Sequence, residues 1–402
     1  MALTVKRSKG VIVEYAGQGV ALDPSPTITD YPVFVTHAHA DHASSFKNAG
    51  VMKYATEPTH RILESRRWKG LANWRPISVG EKVKIGDFEV RALNAGHVLG
   101  SVQYEVASPE GTVLYTGDFG LGNSYTMEPA TPVECDLLVI ETTFGAPQFK
   151  FPKRDEVALE MIRWAVMEAV PAGYIPVFRT DSIGNAQEII SLFNKMTNLP
   201  VITAKSATGV SDIYRQYGHA LEYVDYKSSE GEELLDSGRC TVIAPKGSKL
   251  KIKNIDTALA SGWAVIMKKR TRAFPLSDHA DFRELLSYIR KCHPKRVLTF
   301  HGGAMTRGFS QYIIKRLGID ARPLTRREET LMGPVSKGKM RMKACADQMA
   351  RSIRIPGFEY TETWLVKEMA RRGFTQGETE KALSHLIKVG ILESTQTGFK
   401  LV

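Results

Sequence analysis

The chain is poor in cysteine. It has four in 402 residues (Cys135, Cys240, Cys292 and Cys345), and no two stand at Cys-x-x-Cys spacing. That argues against a disulfide-stapled fold or a zinc ribbon and predicts reduced thiols in a cytoplasmic protein. It lacks any apolar run near the roughly 20 residues a membrane-crossing helix needs, so no membrane partner is expected. The opening Met-Ala-Leu-Thr-Val-Lys-Arg has no apolar signal-peptide centre, which again points to the cytoplasm. Acid is outweighed by base, 43 Asp and Glu against 54 Lys and Arg, for a net charge of +11. Such a balance favours a polyanionic partner, because Lys and Arg displace counterions from phosphates. The length suffices for two or three domains with a large core.

What is present begins with one run, Thr36-His37-Ala38-His39-Ala40-Asp41-His42. It holds three imidazoles and one carboxylate within six residues. His37 and His39, two apart, can point the same way, while Asp41 and His42 aim at a second point nearby. Imidazole with carboxylate suits zinc and its neighbours, and a close metal pair suits hydrolysis. A His-rich surface loop is the plainer reading, and residues downstream argue against it. His97 lies in Ala-Gly-His-Val-Leu-Gly, Asp118 in Tyr-Thr-Gly-Asp-Phe-Gly, and Glu141 follows the apolar run 137–140. His279 lies in Pro-Leu-Ser-Asp-His-Ala-Asp, and His301 follows the run 296–300. Most of these end or follow a short β-rich run, where a sheet-based enzyme mounts its chemistry.

Residues 1–146 alternate short apolar runs with turns. Strands are expected at Val11–Ala16, Val33–Thr36, Phe88–Leu93, Val113–Thr116 and Leu137–Glu141, with a short helix near Ala43–Lys47. From Arg154 to Val170 the periodicity is helical. Strands near 174–178, 200–203 and 241–244, alternating with helices, then predict a small parallel sheet within 147–265. A helix over 281–291, a strand over 296–301 and a helix over 309–317 follow. A basic stretch, 321–354, carries Arg322, Arg326, Arg327, Lys337, Lys339, Arg341, Lys343, Arg351 and Arg354. It reads either as a phosphate-tracking surface or as a solvated linker, the linker proper being 331–354. The tail, 355–402, shows helical patterns at Glu362–Arg372 and Gln376–Lys388 and then a short hairpin. This resembles a winged helix. Glu378 and Glu380 stand where phosphates would approach, so duplex binding competes with packing or homodimer formation.

Taken together, the His-x-His-x-Asp-His run, His97, Asp118 and Asp23 at the end of Val-Ala-Leu-Asp resemble the metallo-β-lactamase fold. Glu141, His279 and His301 resemble the three further motifs of its β-CASP nuclease branch, over roughly residues 8–330. The resemblance implies an α/β protein: an αββα sandwich from 1–146 and 266–330, an inserted βαβ cap over 147–265 acting as a lid, and a winged-helix-like module. Ser261-Gly262-Trp263, followed by Phe-Pro-Leu-Ser-Asp-His-Ala-Asp, is similar to ligase-associated DNA exonucleases. It is close to RNase J, to cleavage-and-polyadenylation endonucleases and to archaeal mRNA 3′-end processing-type exonucleases. Crosslink-repair relatives carry an apolar residue at the position of His301 and fit less well. Asn185 stands where Lys or Arg is common, which weakens one expected phosphate contact.

The resemblance also implies the chemistry. His37, His39 and His97 would hold one zinc, Asp41, His42 and His301 a second, and Asp118 would bridge them; manganese is an alternative activating metal. A hydroxide shared by the metals would attack phosphorus. His279, oriented by Glu141, would protonate the leaving oxygen, and Asp23 would orient a ligand imidazole. Ser277, Arg179 and Gly184 are candidate substrate contacts. The implied activity is a two-zinc phosphodiesterase on single-stranded nucleic acid, first a DNA exonuclease of repair and second an RNA-processing exo- or endoribonuclease. A small-molecule hydrolase would need neither the cap nor His279, and a non-catalytic scaffold would be expected to lack ligands. His60, His219, His293 and His385 have no motif context and are expected at the surface.

Overall fold

Alternation along the central strands sets the layers. In the strand Leu137–Glu141, Leu137 and Val139 face one apolar core while Leu138 and Ile140 face another. Gly111–Tyr115 divides likewise, with Val113 and Tyr115 on one side and Leu114 on the other. A period of two with both faces apolar means a sheet covered on both faces. The computed structural model describes residues 2–267, 272–330, 342, 345–346, 348–350, 352–353, 358–395 and 397–401.

Two seven-stranded sheets lie face to face. One is ordered Glu329–Thr330, Thr4–Arg7, Val11–Tyr15, Gln18–Leu22, Val33–Phe34, Lys53–Ala55, Trp74–Pro76. The other is ordered Asp320–Pro323, Arg296–Phe300, Leu137–Glu141, Gly111–Tyr115, Val102–Ser108, Phe88–Asn94, Lys82–Ile85. Val13, Val20, Leu22 and Phe34 of the first pack against Val90, Val102, Tyr104 and Val113 of the second. The helices Phe282–Cys292 and Met305–Leu317 cover the second sheet's outer face through Leu285, Ile289, Phe309 and Ile313. This is the expected αββα sandwich.

A third sheet of six strands is parallel throughout, with Thr241–Pro245 and Ile175–Thr180 at its centre. Its last strand, Ala273–Phe274, lies beyond the boundary of 265 expected from sequence. The helices Arg154–Ile162, Asn185–Met196 and Ser206–Gln216 pack on one face, and Ser206–Gln216 meets Glu57–Ser65 of the sandwich. One apolar core runs from Ile12 and Phe46 through Leu99 to Phe178 and Phe274, so the insert is fastened to the sandwich by buried carbon. Burial of that kind contributes about 25 cal/mol per Å2.

The basic stretch begins inside the fold. Asp320–Pro323 extends the second sheet and Glu329–Thr330 the first. Arg322 there pairs with Asp320 and Glu329, both at 3.2 Å, so it belongs to an edge strand. Most of 331–354, including Lys337, Lys339, Arg341, Lys343, Arg351 and Arg354, lies outside the described residues. The tail has two helices, Glu362–Ala370 and Gln376–Lys388, and a hairpin, Leu392–Ser394 with Phe399–Leu401, closed over Leu365, Met369, Leu386 and Leu392. Any helix completing a winged helix would fall in 342–353, only partly described. Glu378 is a capping residue, its carboxylate accepting from the Thr375 N–H at 2.9 Å. Among the described residues no helix is long and apolar enough to cross a membrane.

Candidate metal centre

The site is built from strand ends. His37 to His42 follow the strand Val33–Phe34, Asp118 follows Gly111–Tyr115, Glu141 closes its own strand, and His301 follows Arg296–Phe300. Asp23 and His301 have φ of +45° and +44°, a left-handed conformation that non-glycine residues seldom adopt and that clusters at functional sites.

Partners fix the tautomers of three imidazoles. The Asp23 carboxylate accepts from Thr36 N (2.7 Å), Thr36 Oγ1 (2.7 Å), Tyr115 OH (3.0 Å) and His42 Nδ1 (2.7 Å). The proton of His42 is thus on Nδ1, which frees Nε2. Thr36 Oγ1, having donated to Asp23, accepts from His37 Nδ1 at 2.9 Å. His97 Nδ1 donates to the Asp278 carbonyl at 3.1 Å. The His37 and His97 Nε2 atoms, both lone-pair bearing, then lie 3.0 and 3.1 Å from His39 Nδ1. That spacing is near the edge of about 3.3 Å that a tetrahedron with metal–nitrogen bonds of ~2.0–2.1 Å would have. Burial pushes the His39 and His97 imidazoles down to about 4, and His37 well below its ordinary value, so all three are neutral at pH 7 and their lone pairs are available.

Asp118 faces both groups. Its Oδ2 is 3.6 Å from His37 Nε2, 3.3 Å from His42 Nε2 and 3.9 Å from His97 Nε2. Its Oδ1 and His42 Nε2 are buried without a hydrogen-bond partner. Asp41 Oδ2 lies 3.5 Å from His301 Nε2 and 3.8 Å from His42 Nε2. Burial opposes charge on His42, yet Asp118 and Asp23 hold its pKa well above the ordinary value. His37, His39, His97 and Asp118 form one group with ligand atoms within 4.8 Å, and Asp41, His42 and His301 form another. The donor set, the neutral imidazoles of His37, His39 and His97, and the orphaned atoms all fit divalent metal.

Beside this centre, His279 Nδ1 contacts both oxygens of Glu141, at 3.0 and 3.2 Å. Glu141 is itself pinned by the Phe119 and Thr143 amides. Burial lowers the His279 pKa, but the charges of Glu141 and Asp118 and the Glu141 hydrogen bond raise it to about 10. His279 therefore holds a proton at neutral pH, next to His97 at a ring separation of 4.5 Å.

The sequence matches agree with this geometry. A beta-lactamase superfamily domain profile matches residues 22–172, and a profile described as a Zn-dependent metallo-hydrolase RNA specificity domain matches 265–323. The chain thus carries a metallo-β-lactamase domain followed by a metallo-hydrolase RNA specificity domain, and it is similar to the β-CASP nucleases. A protein named "Probable DNA ligase" from Opitutus terrae is 30% identical, over 72% of this chain and 28% of its own length. An "RNase J-like protein" from Methanocaldococcus jannaschii is 29% identical, over 74% of this chain and 88% of its own. The crystal structure of a protein of unknown function from Enterococcus faecalis V583 superposes with a TM-score of 0.60 at 12% identity, covering 82% of this chain and all but 1% of its own, and shows the fold alone.

A cleft adjoins the centre. A cavity of about 410 Å3 is lined by His97, Ser124, Arg154, Gly184, Ser277 and His279, among others. Ser277 and Gly184 thus reach it. A Cβ on Gly184 would come 2.2 Å from Asp278 Oδ2, so only glycine fits at its φ of +87°. Arg179 does not reach it: its guanidinium is spent on Ser248 O (2.7 Å) and Oγ (2.8 Å) inside the insert. Asn185 is buried at the start of its helix with Oδ1 unpartnered. Sequence reading also missed Thr36 as the partner of His37, and a buried clamp. Glu188 accepts from Arg154 (2.6 Å), Ser124 Oγ (2.8 Å), Tyr125 N (2.9 Å) and Thr126 Oγ1 (2.9 Å), tying the insert to one wall of the cavity. His60, expected at the surface, is buried and stacked on Trp74 at 3.9 Å.

Proposed function

We propose that the protein is a two-zinc phosphodiesterase that hydrolyses single-stranded DNA as an exonuclease, with residues 147–265 serving as a lid. The observation that carries this reading is the convergence of His37, His39 and His97 with Asp118, of Asp41, His42 and His301 with one another, and of a protonated His279 beside His97 and Asp118. The first three would hold one metal, the second three another, and Asp118 would bridge. Bound metals would supply a water made acidic enough to be a nucleophile near pH 7 and neutralise charge on the phosphoryl oxygens.

The chain's own groups do the rest. His279 donates a proton to the departing oxygen, a role that needs an acid still protonated at the working pH. Glu141 keeps that proton on the ring and fixes its direction. Asp23, through His42, and the Asp278 carbonyl, through His97, aim the ligand nitrogens. Similarity to the Opitutus terrae protein named as a DNA ligase supports DNA. Similarity across most of the RNase J-like protein supports the second reading, an RNA-processing exo- or endoribonuclease.

The test is cleavage of matched 5′- and 3′-labelled single-stranded DNA and RNA of one sequence, by wild type and His279→Ala, with EDTA controls. Mononucleotides or ladders from DNA, lost in the variant, support the proposal. Preferential RNA cleavage moves the protein to RNA processing, and cleavage of neither overturns both.

A further inference from the structure

We propose that Trp263 is a stacking platform for a nucleobase next to the scissile phosphate, with Arg7 receiving a neighbouring phosphate. The inference rests on the nuclease reading and names how the strand would be held.

Trp263 lies in the short turn Gly262–Ile266, just after the strand Ile255–Ala260. Its ring is braced by two buried phenylalanines, Phe144 and Phe149, each at a centroid distance of 5.3 Å. A Cβ on Gly262 would come 2.5 Å from Phe144 Cζ and 3.0 Å from Phe151 Cζ, so the small residue permits this close packing. Phe144 in turn meets the His279 ring at 5.8 Å. Trp263 is therefore held one ring away from the proposed acid, yet 41% of it is exposed. A tryptophan serving only to fill the core would be covered, as Phe144 and Phe149 are. A fixed aromatic with an open surface offers binding area at little cost in side-chain entropy.

What lies next to it decides the ligand. Trp263 lines a pocket of about 460 Å3 with Arg7, Thr143, His301, Gly302 and Gly303. Among the described residues no Asp or Glu lines this pocket, whereas the cavity beside His97 carries Asp155, Glu188, Asp278, Asp281 and Glu284. A polyanion entering the centre meets less repulsion on the Trp263 side. Arg7 lies 5.5 Å over the Phe300 ring and makes no ion pair with a carboxylate among the described residues. The volume suits one nucleotide, within the range of roughly 300–1,000 Å3 for small-ligand pockets. His301 forms a shared wall, which puts the pocket directly against the metal centre. An aromatic face beside a cation that makes no carboxylate ion pair, with no array of side-chain amides among the described residues, suits stacking that tolerates any base.

The experiment uses the full metal-loaded chain and labelled single-stranded DNA that is intact or carries one abasic nucleotide at successive positions around the cut. Trp263→Ala and Trp263→Leu are expected to raise KM about 5- to 150-fold, the factor for losing one base–aromatic stack, while Trp263→Phe recovers most of it. In wild type, one abasic position within two nucleotides of the cut should reproduce the loss, and in Trp263→Ala the same lesion should add nothing further. An unchanged KM in both variants, additive losses, or no abasic effect near the cut in wild type overturns the inference while leaving the nuclease reading intact. The abasic scan on wild type decides even where a variant folds poorly. Absence of cleavage by wild type is the separate failure, that of the underlying reading.

Discussion

The His42 Nδ1 stands 2.7 Å from the Asp23 carboxylate, and that bond determines how the imidazole is used. It places the proton on Nδ1 and leaves Nε2 aimed at Asp118, 3.3 Å away. Removing the carboxylate by Asp23→Ala also strips partners from Thr36 and Tyr115. Metal affinity is expected to fall roughly 10- to 100-fold, the usual effect of losing a group that orients a ligand. Competition against a fluorescent chelator measures this; unchanged affinity would separate Asp23 from the metals.

Glu141 and His279 are expected to matter for turnover and not for metal loading. Cleavage by His279→Ala should drop by about 10²–10⁴, the range for a lost general acid. Metal content measured by mass spectrometry should stay at the wild-type level. Loss of metal together with activity would make His279 a ligand instead.

In the metal-free protein, His279 should titrate near pH 10. Its folded value lies above the ordinary 6.5, so protonation contributes stability fully below pH 6.5. That contribution declines as pH rises and is gone once pH passes about 10. NMR of the ring of EDTA-treated protein should show the high value, and Glu141→Gln should lower it. A His279 titrating near 6.5 in wild type contradicts the arrangement.

The Glu188 clamp is a stability prediction. Its partner Arg154 is 14% exposed and Glu188 only 4%, so breaking the pair leaves a charge nearly buried. Glu188→Ala should cost roughly 3–5 kcal/mol, as for other buried pairs broken on one side. Denaturant unfolding measures it. A loss below about 1 kcal/mol would mark the pair as an exposed surface bridge.

Local pattern explains what could be read in advance. The central strands of the sandwich are short apolar runs with both faces buried, and the helices Phe282–Cys292 and Gln376–Lys388 carry strong caps at Asp281 and Thr375. His37, His39, Asp41 and His42 lie in one run, and Asp118, Glu141 and His301 close or follow strands, so residue type plus position exposed them. What escaped depends on contacts between distant segments. Glu188 meets Ser124 across 64 positions and Arg154 across 34, and no periodicity encodes that meeting. Arg179 had the right charge beside a strand end, but the loop carrying Ser248 folds back and consumes it. Arg322 looked like a free base in a linker because its partners, Asp320 and Glu329, are set by the sheet edges.

The most direct test of the metal-centred account is a titration of metal-stripped protein with zinc, following bound metal and cleavage of single-stranded DNA together. The account predicts no cleavage without metal and a rate that reaches its plateau as a second equivalent binds. Full cleavage in excess EDTA, or a plateau already complete at one equivalent, would contradict the paired centre bridged by Asp118.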